Sequence, residues 1–374
     1  MRIDIKTFFK FSTRVSLKQY EFAVYKYFPI LFYKKARVKE SDFTLDIVDL
    51  SYYTARTLCS YHLTNKELYF DVIASMLSHL NFINSPSNNF LLSVSRYKRL
   101  RDFSKSTRIG EMAQGVNTYF VAKRLNFPYI IDFDLAREKT LGTLNIQTNG
   151  KTPDFVFLDA SQSKIGLYES KGTMNGRVSG QNGYLDKALH QINDVNNPPC
   201  FDYKLPICTK FENDAAPILT NKKSSINYAL IENKCVDKKD TRLLLKLHYA
   251  SWFYLVGDFE RVQSILDEGF ILPILDDDPF YETDFETDKK NPIYWVRGGF
   301  NLSMFSKISH TRISLFGSSR PYHRRGFKIG IYRKVIENLI STVPKPTIIE
   351  LPEGEVNNLR RYPDGTVLYL TDRK

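Results

Sequence analysis

Three residues in the middle of the chain combine two carboxylates with an ammonium group. Asp154 directly precedes the apolar run 155–158, and Glu169 and Lys171 follow the apolar run 165–168. Side chains alternate between the two faces of a strand, so Glu169 and Lys171 point to the same face, about 7 Å apart. If the two runs pair as a hairpin, Asp154 approaches that face and the three groups converge at a sheet edge. They would form a site for a hard divalent cation with a lysine beside it, which is what phosphodiester hydrolysis needs.

The cation that suits these groups is Mg²⁺ or Mn²⁺, because both prefer oxygen ligands. The carboxylates of Asp154 and Glu169 and the main-chain carbonyl of Ser170 could hold it. Lys171 would position or help to deprotonate the attacking water and would contact the phosphate. The alternative interpretation of the same residues is a structural hairpin with two solvated ends.

The spacing of these residues resembles a known motif. Pro153-Asp154, a short spacer and Glu169-x-Lys171 at the end of an apolar strand resemble the active-site signature of the PD-(D/E)xK nuclease superfamily. The resemblance covers roughly residues 108–235 and implies a restriction-endonuclease-like α-β-β-β-α-β core. It also implies a Mg²⁺- or Mn²⁺-dependent endonuclease acting on DNA, such as the cutting subunit of a restriction, defence or mobile-element system.

A helix is predicted on each side of the hairpin. Upstream, apolar residues recur at three- and four-residue spacing over Ile109–Leu125, with Glu111 in the first turn. The resemblance implies that an acid on this helix joins the metal site, which would make Glu111 a catalytic residue and a metal ligand. The alternative is an ordinary glutamate favoured by the helix dipole. Downstream, the predicted helix Tyr184–Val195 carries Gln191, either as the catalytic-site glutamine that several superfamily branches have or as a surface residue.

The remaining segments complete an α/β (α+β) fold. Phe127–Phe133 is predicted to supply the first core strand, the hairpin the second and third, and Asn227–Ile231 the last. We expect a mixed N-terminal accessory domain over residues 1–100, the nuclease-like domain over 101–270, and a strand-rich C-terminal domain with an acidic linker over 271–374. Further helices are predicted at 67–80, 241–256, 260–266 and 333–340, and further strands at 43–48, 292–296, 328–332, 347–351 and 366–370.

The charge of the chain indicates a polyanionic partner. The net charge is +12 and the pI is about 9.3, which fits nucleic acid, most simply DNA. No acid occurs from Lys289 to Ile336, and residues 2–39 and 96–101 are also basic. The nucleic-acid-binding residues predicted within the acid-free stretch are Arg312, Arg320, His323, Arg324, Arg325 and Lys328. RNA is the alternative substrate, and a non-catalytic nucleic-acid-binding protein is the alternative class.

Seven acids between Asp276 and Asp288 precede the basic stretch. They predict an exposed acidic loop between domains. The alternative is a self-inhibitory segment that imitates nucleic acid and covers the basic surface.

Compartment and assembly are predicted from simpler features. No apolar run reaches the roughly eighteen residues of a membrane span, and the N-terminus lacks the apolar stretch of a signal peptide. We therefore expect a cytoplasmic protein without a membrane partner.

The four cysteines share no CxxC spacing, so reduced thiols are expected; zinc bound by Cys200, Cys208, Cys235 and His248 is the alternative. A homodimer, which would suit cutting both strands, and an activating or targeting protein partner are left open.

Overall fold

The structure of the protein is a computed structural model. It describes residues 12–20, 38–70, 72, 74, 79, 82–83, 89–140, 147–148, 150–179, 183–196, 201–215, 223–233, 240–284, 291–297, 326–341, 354–356 and 359–371. This part of the chain is mixed α/β, with eight α-helices and two large sheets. The chain forms two compact units, residues 4–255 and residues 256–374. Within the described ranges, no helix is both long and apolar enough to cross a membrane.

The first unit is built around an eight-stranded sheet. Its strands are β1 (Ser12–Gln19), β2 (Val38–Asp46), β3 (Tyr129–Asp132), β5 (Phe155–Leu158), β6 (Ile165–Thr173), β8 (Tyr203–Lys210), β9 (Ser225–Tyr228) and β10 (Ile231–Glu232). A separate two-stranded ribbon pairs β4 (Gln147–Thr148) with β7 (Val195–Asn196). The order across the large sheet is β2-β1-β9-β8-β6-β5-β3, and β10 also pairs with β8.

The described residues of the first unit form the helices α1 (Ile47–Tyr61), α2 (Val94–Tyr97), α3 (Asp102–Arg124), α4 (Phe133–Lys139), α5 (Tyr184–Asn193) and α6 (Arg242–Val256), with a short 3₁₀ turn at Lys66–Leu68. Those of the second unit form α7 (Phe259–Glu268) and α8 (Arg333–Ile340). Two helices that border the site region begin at aspartate caps. Asp46 accepts from the backbone N–H groups of Val48 and Asp49, and Asp132 accepts from Leu135, which satisfies donors that a helix start leaves open.

The predicted hairpin is confirmed. Strands β5 and β6 pair antiparallel with Phe155 opposite Tyr168, and their rings stack with centroids 4.7 Å apart. This register leaves Asp154, just before β5, beside Glu169, just after Tyr168. The predicted helices around the hairpin and the predicted first strand are also confirmed, as α3, α5 and β3.

The last predicted core strand is wrong in position. The strand that follows α5 is β8, and it runs parallel to β6 with Glu169 opposite Pro206. The segment 227–231 instead contributes to β9 and β10, which both pair with β8. The sequence does not predict β8, because Pro206 lies within its apolar run and a proline there argues against a strand. Strands β1 and β2 extend this same sheet, so the domain boundary predicted near residue 100 runs through the first unit.

Helix α3 packs on one face of β6 and runs antiparallel to it. The hydroxyls of Thr118 and Tyr168 lie 2.6 Å apart. Nearer the helix start, Ala113 faces Gly172, where an added Cβ would lie 2.6 Å from the Ala113 Cβ. The N-terminal end of α3 therefore extends toward the carboxyl end of β6.

The second unit contains an antiparallel six-stranded sheet. Its strands are β11 (Tyr281–Asp284), β12 (Ile293–Val296), β13 (Gly326–Tyr332), β14 (Gly354–Val356), β15 (Leu359–Arg361) and β16 (Thr366–Thr371), in the order β11-β12-β13-β16-β15-β14. The predicted strands at 292–296, 328–332 and 366–370 and the helix at 333–340 are confirmed, whereas the strand at 347–351 lies outside the described residues.

The prediction of an acidic loop is wrong for part of its length. Residues 281–284 form the edge strand β11, paired with β12. Two of the acids are neutralised locally, because Asp278 lies 2.6 Å from Arg261 and Glu282 lies 2.6 Å from Lys328. These cross-element ion pairs, which the local sequence does not show, make an acid-rich strand acceptable at this edge.

The contact between α3 and β6 gives a stability prediction. A Cβ at Gly172 would lie 2.6 Å from both the Ala113 Cβ and the main-chain oxygen of Ile109, so Gly172→Ala forces helix and strand apart. We expect it to lower the free energy of unfolding by about 1–3 kcal/mol. The matched control is Gly110→Ala in the same helix, where a Cβ meets nothing within 4 Å and where alanine should add about 0.5–1 kcal/mol. Urea denaturation measures both, and equal effects would contradict the packing described.

Candidate active site

Two hydrogen bonds exchanged between β5 and β6 fix the carboxylates. The backbone N–H of Asp154 donates to Glu169 Oε2 at 2.8 Å. The backbone N–H of Ser170 donates to Asp154 Oδ2 at 2.9 Å. Each carboxylate is thus held by the main chain of the opposite strand, and the two acids predicted from sequence do converge at one end of the hairpin.

Glu169 is buried and Asp154 beside it is partly buried, which disfavours the charged forms of both carboxylates. Glu169 has no exposed surface. Burial raises the pKa of Glu169, and the neighbouring charge of Asp154 raises it further, while Lys171 opposes the rise. Burial also raises the pKa of Asp154, although the Ser170 N–H and Lys171 act in the opposite direction. Such a pair of acids favours a bound cation, which would offset their mutual repulsion.

Lys171 and Gln191 lie together next to Glu169. The Lys171 ammonium donates to Glu169 Oε1 and, at 3.0 Å, to Gln191 Oε1. The Gln191 amide in turn donates to the main-chain oxygen of Thr152, just before the hairpin. Helix α5 thereby holds the lysine in place through Gln191. About a quarter of the Lys171 side chain is exposed (25%), whereas the Glu169 side chain is not exposed at all.

Ser170 is anchored on the other face of the sheet. Its hydroxyl accepts a hydrogen bond of 2.8 Å from the Asn117 side chain on α3. The Asn117 carbonyl accepts from Thr209 on β8 at 2.6 Å. The Ser170 side chain therefore serves the packing of helix on sheet, and only its main chain belongs to the site.

Two residues that sequence reasoning missed contact Asp154. Hydrogen bonds from the side chains of Gln114 and Tyr61 lower its pKa against the effect of burial. Gln114 also donates to the Tyr61 hydroxyl at 2.8 Å. Gln114 is one turn beyond Glu111 on the same side of α3, so helical periodicity could have identified it. Tyr61, at the end of α1, gives no sequence signal.

A further missed acid lies next to the pair. Asp132 ends β3 opposite Phe155 and caps α4 through the Leu135 N–H. Burial raises the pKa of Asp132 to about 6, and the charges of Asp134 and Asp154 add to the rise. Its place at the end of the strand next to β5 is the signal that could have found it.

Glu111 occupies a different environment from the hairpin acids. Its carboxylate lies 2.7 Å from His79 Nε2 and 3.1 Å from Arg108. Across the ranges that the structure describes, no three His, Cys, Asp or Glu side chains converge as a metal-binding group. The structure therefore does not bring Glu111 together with Asp154 and Glu169. Cys200 and Cys235, two ligands of the alternative zinc site, lie outside the described residues.

The predicted nucleic-acid-binding residues fall mostly outside the described chain. Arg312, Arg320, His323, Arg324 and Arg325 lie outside the described residues. Lys328 is described: it lies on β13 and is paired with Glu282.

The donors at the hairpin suit a hard divalent cation. Asp154 and Glu169 offer carboxylate oxygens, and Ser170 offers a main-chain carbonyl between Glu169 and Lys171. Oxygen donors of this kind suit Mg²⁺, which keeps several waters and needs only one or two carboxylates from the protein.

Comparisons with known proteins add no assignment. No family model, no curated protein and no solved structure matches the chain.

The buried carboxylates predict a specific pH dependence of stability. Their pKa values are raised by folding, so between about pH 4 and the raised values the native state binds more protons than the unfolded chain. The free energy of unfolding must then fall as the pH rises through that window. Glu169→Gln removes part of this effect. Its Tm relative to wild type should therefore be more favourable at about pH 8 than at about pH 5.

The control for this measurement is Glu138→Gln. Glu138 is exposed (66%) and forms a surface pair with Lys139, a contact worth less than about 1 kcal/mol. Its Tm difference from wild type should be small at both pH values. A Glu169→Gln difference that does not change with pH would contradict the burial of this acid.

Proposed function

We propose that the protein is a metal-dependent endonuclease that hydrolyses DNA phosphodiester bonds. The observation that carries the proposal is the meeting of Asp154, Glu169 and Lys171 at one end of the β5–β6 hairpin. Three different groups with complementary roles share one small, partly solvent-bordered site. A hairpin with merely solvated ends would have no reason to set a fully buried acid beside a partly buried one.

The surrounding topology supports the same assignment. Apart from the short helix α4 and the β4–β7 ribbon, the elements α3, β3, β5, β6, α5 and β8 come in the order α-β-β-β-α-β along the chain. Strands β3, β5 and β6 are antiparallel neighbours, and β8 runs parallel to β6 on its other side. This order is the one that the resemblance to the PD-(D/E)xK nuclease superfamily implies, and the acids lie where that motif has them.

Asp154, Glu169 and the Ser170 carbonyl would hold Mg²⁺ or Mn²⁺. When bound, such an ion lowers the pKa of a coordinated water and offsets charge on the scissile phosphate. The hydrogen bonds from Ser170 N–H and from Gln114 and Tyr61 keep the Asp154 carboxylate oriented and favour its ionised form. The chain therefore supplies preoriented anionic oxygens for the ion.

Lys171 would act on the reacting groups directly. Its side chain is partly exposed, and in this role the ammonium would contact the scissile phosphate and orient the attacking water. Gln191 fixes the direction of the ammonium by accepting from it while donating to the Thr152 carbonyl. Gln191 is thus a positioning residue for Lys171, and loss of this support would misalign the lysine.

The proposal is tested by cleavage assays with Mg²⁺ or Mn²⁺ on plasmid, linear duplex, single-stranded DNA and RNA. Asp154→Asn, Glu169→Gln and Lys171→Met should each lower the cleavage rate by about 10²–10⁴-fold, because each removes a group from the reacting centre. Lys164→Met is the matched control. Lys164 is an exposed lysine at the opposite end of the same hairpin and bonds the Tyr203 hydroxyl, so its loss should leave cleavage close to that of wild type.

A second measurement separates metal binding from cutting. Mn²⁺ should raise the Tm of the wild type and of Lys164→Met, and it should have little effect on Asp154→Asn or Glu169→Gln. Equal cleavage by wild type and all site variants would place the activity elsewhere. Absence of both cleavage and a Mn²⁺-dependent rise in Tm would mean that the hairpin is structural. Cleavage of RNA alone would retain the site and change the substrate.

A further inference from the structure

A basic surface runs from helix α2 through the turn after it to the first turn of helix α3. We define the α3 basic surface as Arg96, Lys98, Arg99, Arg101 and Lys105. The first four residues are exposed and Lys105 is half-buried. Between residues 94 and 110, Asp102 is the only acid. The charge is therefore strongly positive along one short stretch of chain.

The packing of α3 on β6 places the start of the helix at the end of the strand that carries the candidate site, on the face of the sheet opposite to Glu169 and Lys171. The helix runs antiparallel to the strand, with Thr118 at Tyr168 and Ala113 at Gly172. Residues before Ala113 in the helix consequently lie toward and beyond the carboxyl end of β6. That end carries Lys171, whose side chain is partly exposed.

The distance between surface and site fits a nucleic-acid strand. Gln114, on the same helix, bonds the Asp154 side chain. At about 1.5 Å per residue, Arg101 lies about 20 Å from Gln114 along the axis of α3. Phosphates in one strand of a duplex advance about 3.4 Å each along its axis, so this span matches about six nucleotides. The N-terminal end of the helix adds a partial positive charge of the same sign.

We infer that the α3 basic surface binds the phosphate backbone of the DNA whose scissile bond lies at Asp154 and Glu169. The inference rests on the proposed function and adds the path that the substrate takes on the first unit. The sequence prediction placed its nucleic-acid-binding residues between Arg312 and Lys328 and named residues 96–101 only as a further basic cluster. The contacts would be to phosphates, so they would set affinity and register without reading bases.

Binding of a fluorescently labelled DNA duplex, measured by anisotropy in EDTA at several salt concentrations, tests the inference without any cutting. The variant is Lys98→Gln/Arg101→Gln. We expect its Kd to rise roughly tenfold and the slope of log Kd against log salt to fall by about 1.8, since two phosphate contacts are lost. Both side chains are exposed, and unchanged thermal unfolding would show that the fold is retained.

The matched control is Lys123→Gln/Arg124→Gln, which removes one lysine and one arginine at the other end of α3. Its Kd and salt slope should stay near those of wild type. An unchanged Kd for Lys98→Gln/Arg101→Gln, an equal loss in both variants, or no binding by wild type would each overturn the inference.

The outcome is separable from that of the proposed function. If Asp154→Asn cuts as well as wild type while Lys98→Gln/Arg101→Gln binds weakly, the proposed catalytic site fails and the binding surface stands. If Asp154→Asn is inactive while Lys98→Gln/Arg101→Gln binds normally, the reverse holds. If RNA binds and its affinity depends on Lys98 and Arg101 in the same way, the surface contacts phosphates as inferred and the nucleic acid is RNA.

Discussion

The candidate site depends on one reciprocal interaction across the hairpin. Asp154 and Ser170 donate their backbone N–H groups to the carboxylates of Glu169 and Asp154 respectively. Hydrogen bonds to a charged group are stronger than those between neutral groups, and here they partly offset the cost of burying two acids. They can form only if β5 and β6 keep the register that sets Phe155 opposite Tyr168. The pairing register of β5 and β6 therefore sets the position of the two acids.

The rest of the first unit keeps that register from both faces. On one face, α3 bonds β6 through Asn117 and Thr118. On the other, Gln191 of α5 links Lys171 to the chain before β5. Strand β8 covers the other edge of β6 in a parallel ladder. Support from these three elements keeps the two carboxylates next to each other and shielded from water, and this burial is the main cause of their raised pKa values.

Charged side chains occur in two different settings, in ion pairs within the second unit and on the exposed surface near the start of α3. In the second unit, acids that stand out in the sequence are paired: Asp278 with Arg261 and Glu282 with Lys328. Each of these acids is neutralised by a neighbouring base. From the sequence alone, the same acids were predicted to lie in an exposed loop. At the start of α3, by contrast, basic side chains are exposed next to a helix N-terminus that leads to the site. A basic run is informative about binding only when its structural neighbours are known.

The sequence by itself determined the hairpin, its flanking helices and four side chains that the structure brings together, those of Asp154, Glu169, Lys171 and Gln191. Those features follow from local patterns: two short apolar runs, helical spacing around Glu111 and Gln191, and acids at strand ends. Tertiary structure alone decided the rest. Strand β8 could not be predicted locally, because Pro206 argues against a strand. Its parallel pairing with β6 also depends on a crossover connection. Tyr61 and Asp132 reach Asp154 from distant segments, and Glu111 is drawn to His79 and Arg108. The physical reason is that local periodicity fixes which face a side chain occupies, whereas its partners are set by packing between elements far apart in the chain.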